Sequence, residues 1–291
     1  FCPEIEAQDY DDYVKKVKDI YEEVSGQGVF DDNDADRTAA LYFIIDAQFC
    51  ADPLRMIQRY ISALFYYSTK GDEWKENMDW LSSKHECLWG GLECTNDSIT
   101  EIRRGDNFLA GTLPFEVCSL PLLQSLDLDS NNIGGNLPSK IGECQNLVVL
   151  DMDENNLIGS LPESLFNIKS LRLLDLDSNQ LTGSLNSDIS NLVNLEMLAL
   201  HINKFSGKIP SSLGKLKTLE VLYLDKNDLT GRMPASICRN RSFGNLIDVT
   251  VDCGGPNREI VCEKNCCTCF NDVSNEPQQR DASLSRSSGD K

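Results

Sequence analysis

The stretch Leu123-Gln124-Ser125-Leu126-Asp127-Leu128-Asp129-Ser130-Asn131-Asn132-Ile133-Gly134-Gly135-Asn136-Leu137-Pro138 decides the architecture, because its frame returns every 24 residues. Asn107, Asn131, Asn155, Asn179, Asn203 and Asn227 mark the phase. A fixed period between roughly 20 and 50 residues means one supersecondary unit stacked on copies of itself. Leu126 and Leu128 alternate with Asp127 and Asp129, as a short strand with one buried face requires. The asparagine then turns the chain, and its amide can satisfy backbone groups that the turn would leave buried and unpaired.

Outward from the asparagine the frame stays regular. Gly111, Gly135, Gly159, Gly183, Gly207 and Gly231 follow it by four residues, where a tight bend favours a residue without Cβ. Leu-Pro comes next at 113/114, 137/138 and 161/162, Ile-Pro at 209/210 and Met-Pro at 233/234; Leu185-Asn186 breaks the series. Proline suits an irregular outer segment better than a central strand. The outer side closes on apolar sets such as Leu165, Ile168 and Leu171.

These motifs resemble the plant-type, 24-residue leucine-rich repeat, with six in-phase matches over residues 99–236. The stretch Gly71-Asp72-Glu73-Trp74, Asp79-Trp80-Leu81 and Cys87-Leu88-Trp89-Gly90-Gly91-Leu92-Glu93-Cys94 looks like the cap that precedes such repeats. The preceding helical segment and the cysteine-rich finish are similar to secreted leucine-rich repeat proteins of diatoms and related algae. The fold expected is an α/β solenoid, a right-handed arc with a helical N-terminal segment and disulfide-bonded caps. The expected divisions are a helical segment (1–70), an N-terminal cap (71–98), six repeats (99–236), a cysteine-rich cap (237–270) and a disordered tail (271–291). That tail holds no aromatic residue and few aliphatics.

Twelve cysteines cluster mainly at the ends. Cys2, Cys50, Cys87, Cys94, Cys238, Cys253, Cys262, Cys266, Cys267 and Cys269 lie outside the regular coils, where a solenoid needs its apolar ends covered. Even numbers in each cluster point to disulfides formed in an oxidising compartment, and so to a secreted protein. A zinc site at Cys266, Cys267 and Cys269 is the competing reading, but neither histidine is nearby. Cys144 stands at a leucine phase and reads as a small buried hydrophobe, with a bridge from Cys118 in the adjacent coil left open. The chain begins with Phe1, as after signal-peptide removal, and has no apolar run of about 18 residues. Asn96-Asp97-Ser98 and Asn240-Arg241-Ser242 are glycosylation sequons.

Ahead of the repeats, Tyr10, Tyr13, Val14, Val17, Tyr21 and Val24 fall at helical spacing, and Leu54, Ile57, Ile61, Leu64 and Phe65 do so after Pro53. Packing on one another and on the first coil is the favoured role, since a largely acidic polar face opposes docking on anionic lipid. Asp31-Asp32-Asn33-Asp34-Ala35-Asp36 has the look of a calcium loop without its glycine and final glutamate; it reads instead as an acidic loop and helix N-cap.

A net charge of −19 argues against nucleic-acid binding and for a basic or cationic partner. Asp127, Asp129, Asp151, Asp153, Glu154, Asp175, Asp177 and Asp225 are expected to project from the concave face. Such an array stores repulsion that a divalent cation, calcium above all, or a basic partner would relieve. Met197, Ala199, His201, Ile202, Val221 and Tyr223 form a less charged, partly apolar patch beside it, as a binding hot spot needs. Arg104 stands where later coils place a leucine, and is expected to snorkel to the cap or pair with a carboxylate. With no GxSxG, HExxH or phosphate loop, a catalytic role is not expected. The reading is a secreted recognition module binding a protein or polysaccharide through its concave face. An adhesive protein self-associating through acidic, calcium-bridged surfaces is the alternative. Ice binding is disfavoured because no regular array of threonines occupies the strands.

Overall fold

The computed structural model describes residues 10–31, 34–47, 49, 51–253, 260–262 and 266–270. Cys2, Cys50 and the tail 271–291 lie outside the described residues. Three helices come first: α1 (Tyr10–Ser25), α2 (Ala35–Asp46) and α3 (Pro53–Ser68). α3 begins after Asp52, whose side chain accepts from the Arg55 N–H, with Pro53 in the first turn, where its missing donor costs nothing. α2 is not legible as a helix in the sequence, because its apolar residues do not segregate to one face. Its start is legible: Asp34 is the N-cap and accepts from the Arg37 N–H at 3.0 Å.

The helical segment packs inwards, as expected. Tyr13, Val17 and Tyr21 of α1 and Met56, Tyr60, Ile61, Leu64 and Phe65 of α3 are buried, and Tyr21 stacks on Tyr60 at 4.2 Å. Two ion pairs, one buried and one part-buried, fasten the segment to the cap and to the first coil. Arg59 of α3 pairs with Glu86 of the cap, donates to the Lys84 carbonyl at 3.0 Å, and lies 4.4 Å from the centre of the Phe49 ring. Arg37 of α2 pairs with Glu116 of the first coil at 2.6 Å.

The repeats form two parallel ladders. Their primary sheet runs from the hairpin Leu92–Thr95/Ser98–Arg103 through Ser125–Asp127, Val149–Asp151, Leu173–Asp175, Met197–Ala199 and Val221–Tyr223 to Asp248–Asp252 and Thr268–Phe270. A lateral sheet is made of Ala110–Thr112, Asn132–Asn136, Asn156–Gly159, Gln180–Ser184, Lys204–Lys208, Asp228–Arg232 and Ile260–Val261. Short 3₁₀ turns such as Glu163–Asn167 close the third side, and α4 (Ala235–Phe243) replaces that turn in the last full coil. The core is the leucine set, with Leu126, Leu150, Leu174 and Leu198 fully buried.

The asparagines work between coils. Asn155 Nδ2 donates to the Leu128 carbonyl of the preceding coil at 2.9 Å and to the carbonyls of Met152 and Asp153 in its own; its Oδ1 accepts from the Ile133 N–H at 2.9 Å. Asn131, Asn179, Asn203 and Asn227 repeat the pattern. The following glycine is demanded at Gly159, whose φ is 76° and where an added Cβ would lie 2.3 Å from Asn136 Oδ1.

Disulfides join Cys87 to Cys94, Cys238 to Cys266, Cys253 to Cys269 and Cys262 to Cys267. Cys118 and Cys144 are bonded too, with Cα atoms 4.3 Å apart; Cys144 is a cross-link between coils as well as a buried residue.

Candidate functional site

The primary sheet presents two side-chain columns, fixed by its parallel register. Asp127, Asp151 and Asp175 stand opposite one another, and Ala199, Tyr223 and Thr250 continue the line. Two residues on, Asp129, Asp153, Asp177, His201 and Asp225 form the second column. The expected open ladder needs correction here. Asp153, Asp177 and Asp225 are only 8%, 1% and 4% exposed, so these members of the second column are sunk, while Asp129 and His201 beside them and Asp127, Asp151 and Asp175 in the first column are half-buried.

Ser130, Glu154, Ser178, Ile202 and Lys226 adopt left-handed φ near 50° before each asparagine, bending the chain just after the second column. First-column carboxylates brace that bend: Asp151 Oδ1 accepts from the Asp153 N–H at 3.3 Å, and Asp175 Oδ1 from the Asp177 N–H at 3.1 Å. Glu154 stays outside and accepts from Ser130 Oγ at 3.1 Å.

Crowded carboxylates hold protons tightly. Burial pushes Asp151 up to about 7, with the charges of Asp127, Asp129 and Asp177 adding to it against the opposing Asp153 N–H. Burial raises Asp127 to about 6, helped by the hydrogen bond and charge of Asp129 and opposed by Arg103. The carboxylate oxygens of Asp151, Asp153 and Asp175 lie within 4.8 Å of one another, a donor set of the hard oxygen type that suits calcium.

Beyond the aspartates the chemistry changes. His201 Nε2 lies 2.5 Å from Asp177 Oδ2, and its ring meets Tyr223 edge-on at 5.6 Å. The Tyr223 hydroxyl donates to Asp248 at 3.0 Å and is pushed up to about 12, by burial first and then by Asp248. Met197 is half-buried, whereas Ala199 and Val221 are buried, so the apolar patch is narrower than the sequence suggests. Sequence reasoning misses Asp248, Thr250 and Asp252, because α4 lengthens the coil before them, so that Leu222 stands opposite Val249, 27 residues on instead of 24. Thr250 Oγ1 donates to Asp225, and Asp252 accepts from the N–H groups of Lys226 and Asn227 at 2.7 and 2.9 Å.

At the other end Arg104 is buried, but among the described residues no carboxylate pairs with it. Its guanidinium donates to the Gly90 carbonyl and, at 3.2 Å, to the Glu76 carbonyl, and lies 5.4 Å from the rings of Trp74 and Trp80. Burial lowers it to about 10. Of the two expected outcomes, Arg104 takes the first and reaches into the cap, where backbone dipoles and indole faces receive it in place of a carboxylate.

The two sequons differ. Asn96 is exposed in the hairpin turn. Asn240 is buried in α4, its Nδ2 donating to the carbonyls of Gly214 and Leu216 at 3.0 and 3.2 Å and its Oδ1 accepting from Lys217 at 2.8 Å. An amide committed in this way leaves no room for a glycan, which corrects the expectation for Asn240. No described helix is long and apolar enough to cross a membrane.

Family models described as leucine rich repeat match residues 120–181 and 218–240. No curated protein matches the chain. Among solved structures, a plant ice-binding protein is 26% identical, covering 68% of this chain and 61% of its own, with a TM-score of 0.58. The Arabidopsis receptor kinase HAESA ectodomain, in complex with an N-terminally extended IDA peptide hormone, is 32% identical over 59% of this chain and 34% of its own, with a TM-score of 0.51. A TDR receptor is 34% identical over 56% of this chain, which spans only 27% of that structure, with a TM-score of 0.51. The matched repeats, the paired parallel sheets and the asparagine ladder agree: the described residues form a leucine-rich repeat solenoid like those of plant receptor ectodomains.

Proposed function

We propose that the chain is an extracellular recognition module whose primary sheet binds a protein partner carrying basic and apolar groups side by side. One observation carries this reading. The in-register carboxylates Asp127, Asp151 and Asp175 run directly into the Met197, His201 and Tyr223 patch on the same face. A cationic side chain placed over the first three relieves the crowding that adds to burial in raising the carboxyls of Asp127 and Asp151. Tyr223, tethered through its hydroxyl, offers a rigid amphipathic anchor.

Secretion is supported by disulfides throughout the described residues, where no free cysteine occurs, and by the exposed Asn96 sequon as a glycan site. The solved receptor ectodomain with its bound peptide hormone supports a peptide or protein as the ligand class. Immobilised protein exposed to native extracellular material tests the proposal. The parent retains a partner that a variant with Asp175→Asn and Tyr223→Ala releases; equal retention by both sinks it.

A second reading has its own observation. Asp151, Asp153 and Asp175 bring three carboxylates together, the arrangement an adhesive protein bridged by calcium would use. Size-exclusion chromatography with and without calcium separates the two: calcium-dependent assembly favours adhesion, and a monomer in both conditions favours recognition.

A further inference from the structure

The lateral sheet has a charge pattern unlike the rest of the molecule. Its first four strands, Ala110–Thr112, Asn132–Asn136, Asn156–Gly159 and Gln180–Ser184, carry no charged side chain, although charged residues make up 25% of the sequence and the net charge is −19; charge returns at the next strand, where Lys204 Nζ donates to Gln180 Oε1 at 3.3 Å. What they expose is amide and hydroxyl: Asn132, Asn136, Asn156, Gln180, Thr182 and Ser184. Ile158 adds an apolar spot, 47% exposed, and Phe108, 54% exposed, stands just before the first strand. Phe108 is held at φ 63°, a conformation that disfavours an aromatic residue unless the surroundings impose it.

We propose that this face binds a neutral, linear polysaccharide lying across the strands. Carboxamides and hydroxyls both donate and accept, as sugar hydroxyls do, so each can pair with a chain of mixed donors and acceptors. Ile158 and Phe108 supply the apolar contact that the C–H faces of sugar rings use. Asn136 lies over Gly159, where a Cβ would collide with its Oδ1 at 2.3 Å, so the missing side chain seats the Asn136 carboxamide on this face.

Charge selects among occupants. A cationic polymer finds no carboxylate on these four strands and is drawn to the primary sheet instead, and an anionic one approaches a molecule of net charge −19. A neutral chain meets neither cost. The unequal side chains that stand opposite one another across the strands, Asn136, Ile158 and Gln180, match a flexible chain better than a rigid ice lattice. Four strands at about 4.8 Å spacing span about 14 Å, room for a few sugar rings. This site is separate from the primary sheet and does not depend on its partner.

Native affinity electrophoresis in gels containing hydroxyethylcellulose, with carboxymethylcellulose as an anionic control on the same backbone, tests the proposal. The parent is expected to be retarded by the neutral polymer and not by the charged one. Asn156→Asp with Gln180→Glu should weaken retention about fivefold, the scale of a few lost hydrogen bonds. Lys15→Gln with Gln27→Glu adds the same charge on the helical segment and should bind as the parent does; unchanged far-UV dichroism shows that both variants fold. Migration unaffected by either polymer, equal retardation by both, or full binding by the Asn156→Asp/Gln180→Glu variant overturns the proposal. Arrest of ice growth without retardation would also overturn it, by assigning the face to ice.

Discussion

Asn155 Nδ2 and the Leu128 carbonyl, 2.9 Å apart, join one coil to the one before it, while the same side chain accepts from the Ile133 N–H. Replacing Asn155 by alanine strands buried donors and acceptors on both coils. The expected cost is about 2–4 kcal/mol, several unsatisfied groups partly rehydrated, read as a lower midpoint in urea unfolding. A loss below about 0.5 kcal/mol would mean that the ladder is ornamental.

The protons held by Asp127 and Asp151 give stability a pH dependence. Both folded values, about 6 and about 7, lie above the ordinary aspartate value of 3.8. A raised carboxylate contributes stability that is complete below its unfolded value and is lost as pH rises through the folded one. The unfolding temperature should therefore fall between about pH 4 and pH 7.5. Asp151→Asn removes much of that slope and is more stable than the parent at pH 7.5 by about 1 kcal/mol or more. Parallel pH profiles for parent and variant would refute the assignment.

Arg59 and Glu86 make the helical segment part of the solenoid's folding unit. Both side chains are buried, so Arg59→Met leaves the buried Glu86 with the longer Arg55 contact at 3.5 Å and should cost about 2–4 kcal/mol. Limited proteolysis checks it: cleavage within α1–α3 should accelerate in the variant, and an unchanged rate would show that the pair is dispensable.

Cys118 and Cys144 cross-link adjacent coils over 26 residues. Changing both to serine should lower stability by about 2–4 kcal/mol, measured by denaturant unfolding without reductant. A variant as stable as the parent would show that leucine packing alone holds these coils together.

Much of the fold is legible because a 24-residue period constrains every position at once. Leu126 and Leu150 fall in the core and Asn131 and Asn155 in the ladder for the same reason. Where the period ends, local signals fail: α2 lacks a segregated apolar face, and Asp248–Asp252 carries no phase marker. In the candidate site, the repeat frame assigns each aspartate its column but not its depth. Depth varies on one backbone course: Ser130, Glu154 and Ile202 all adopt the left-handed conformation, yet Asp153 before it is buried while Asp129 and His201 are half-buried. The partners of Arg104 escape a sequence reading because they are backbone carbonyls brought in from residues 76 and 90, and carbonyls leave no trace in a sequence.

Hydrogen–deuterium exchange with the captured partner bound tests the central claim most directly. Slower exchange across Leu173–Asp175, Met197–Ala199 and Val221–Tyr223 is predicted, with the lateral sheet unchanged. Protection confined to the lateral sheet or to α1–α3, with those three strands unaffected, would contradict it.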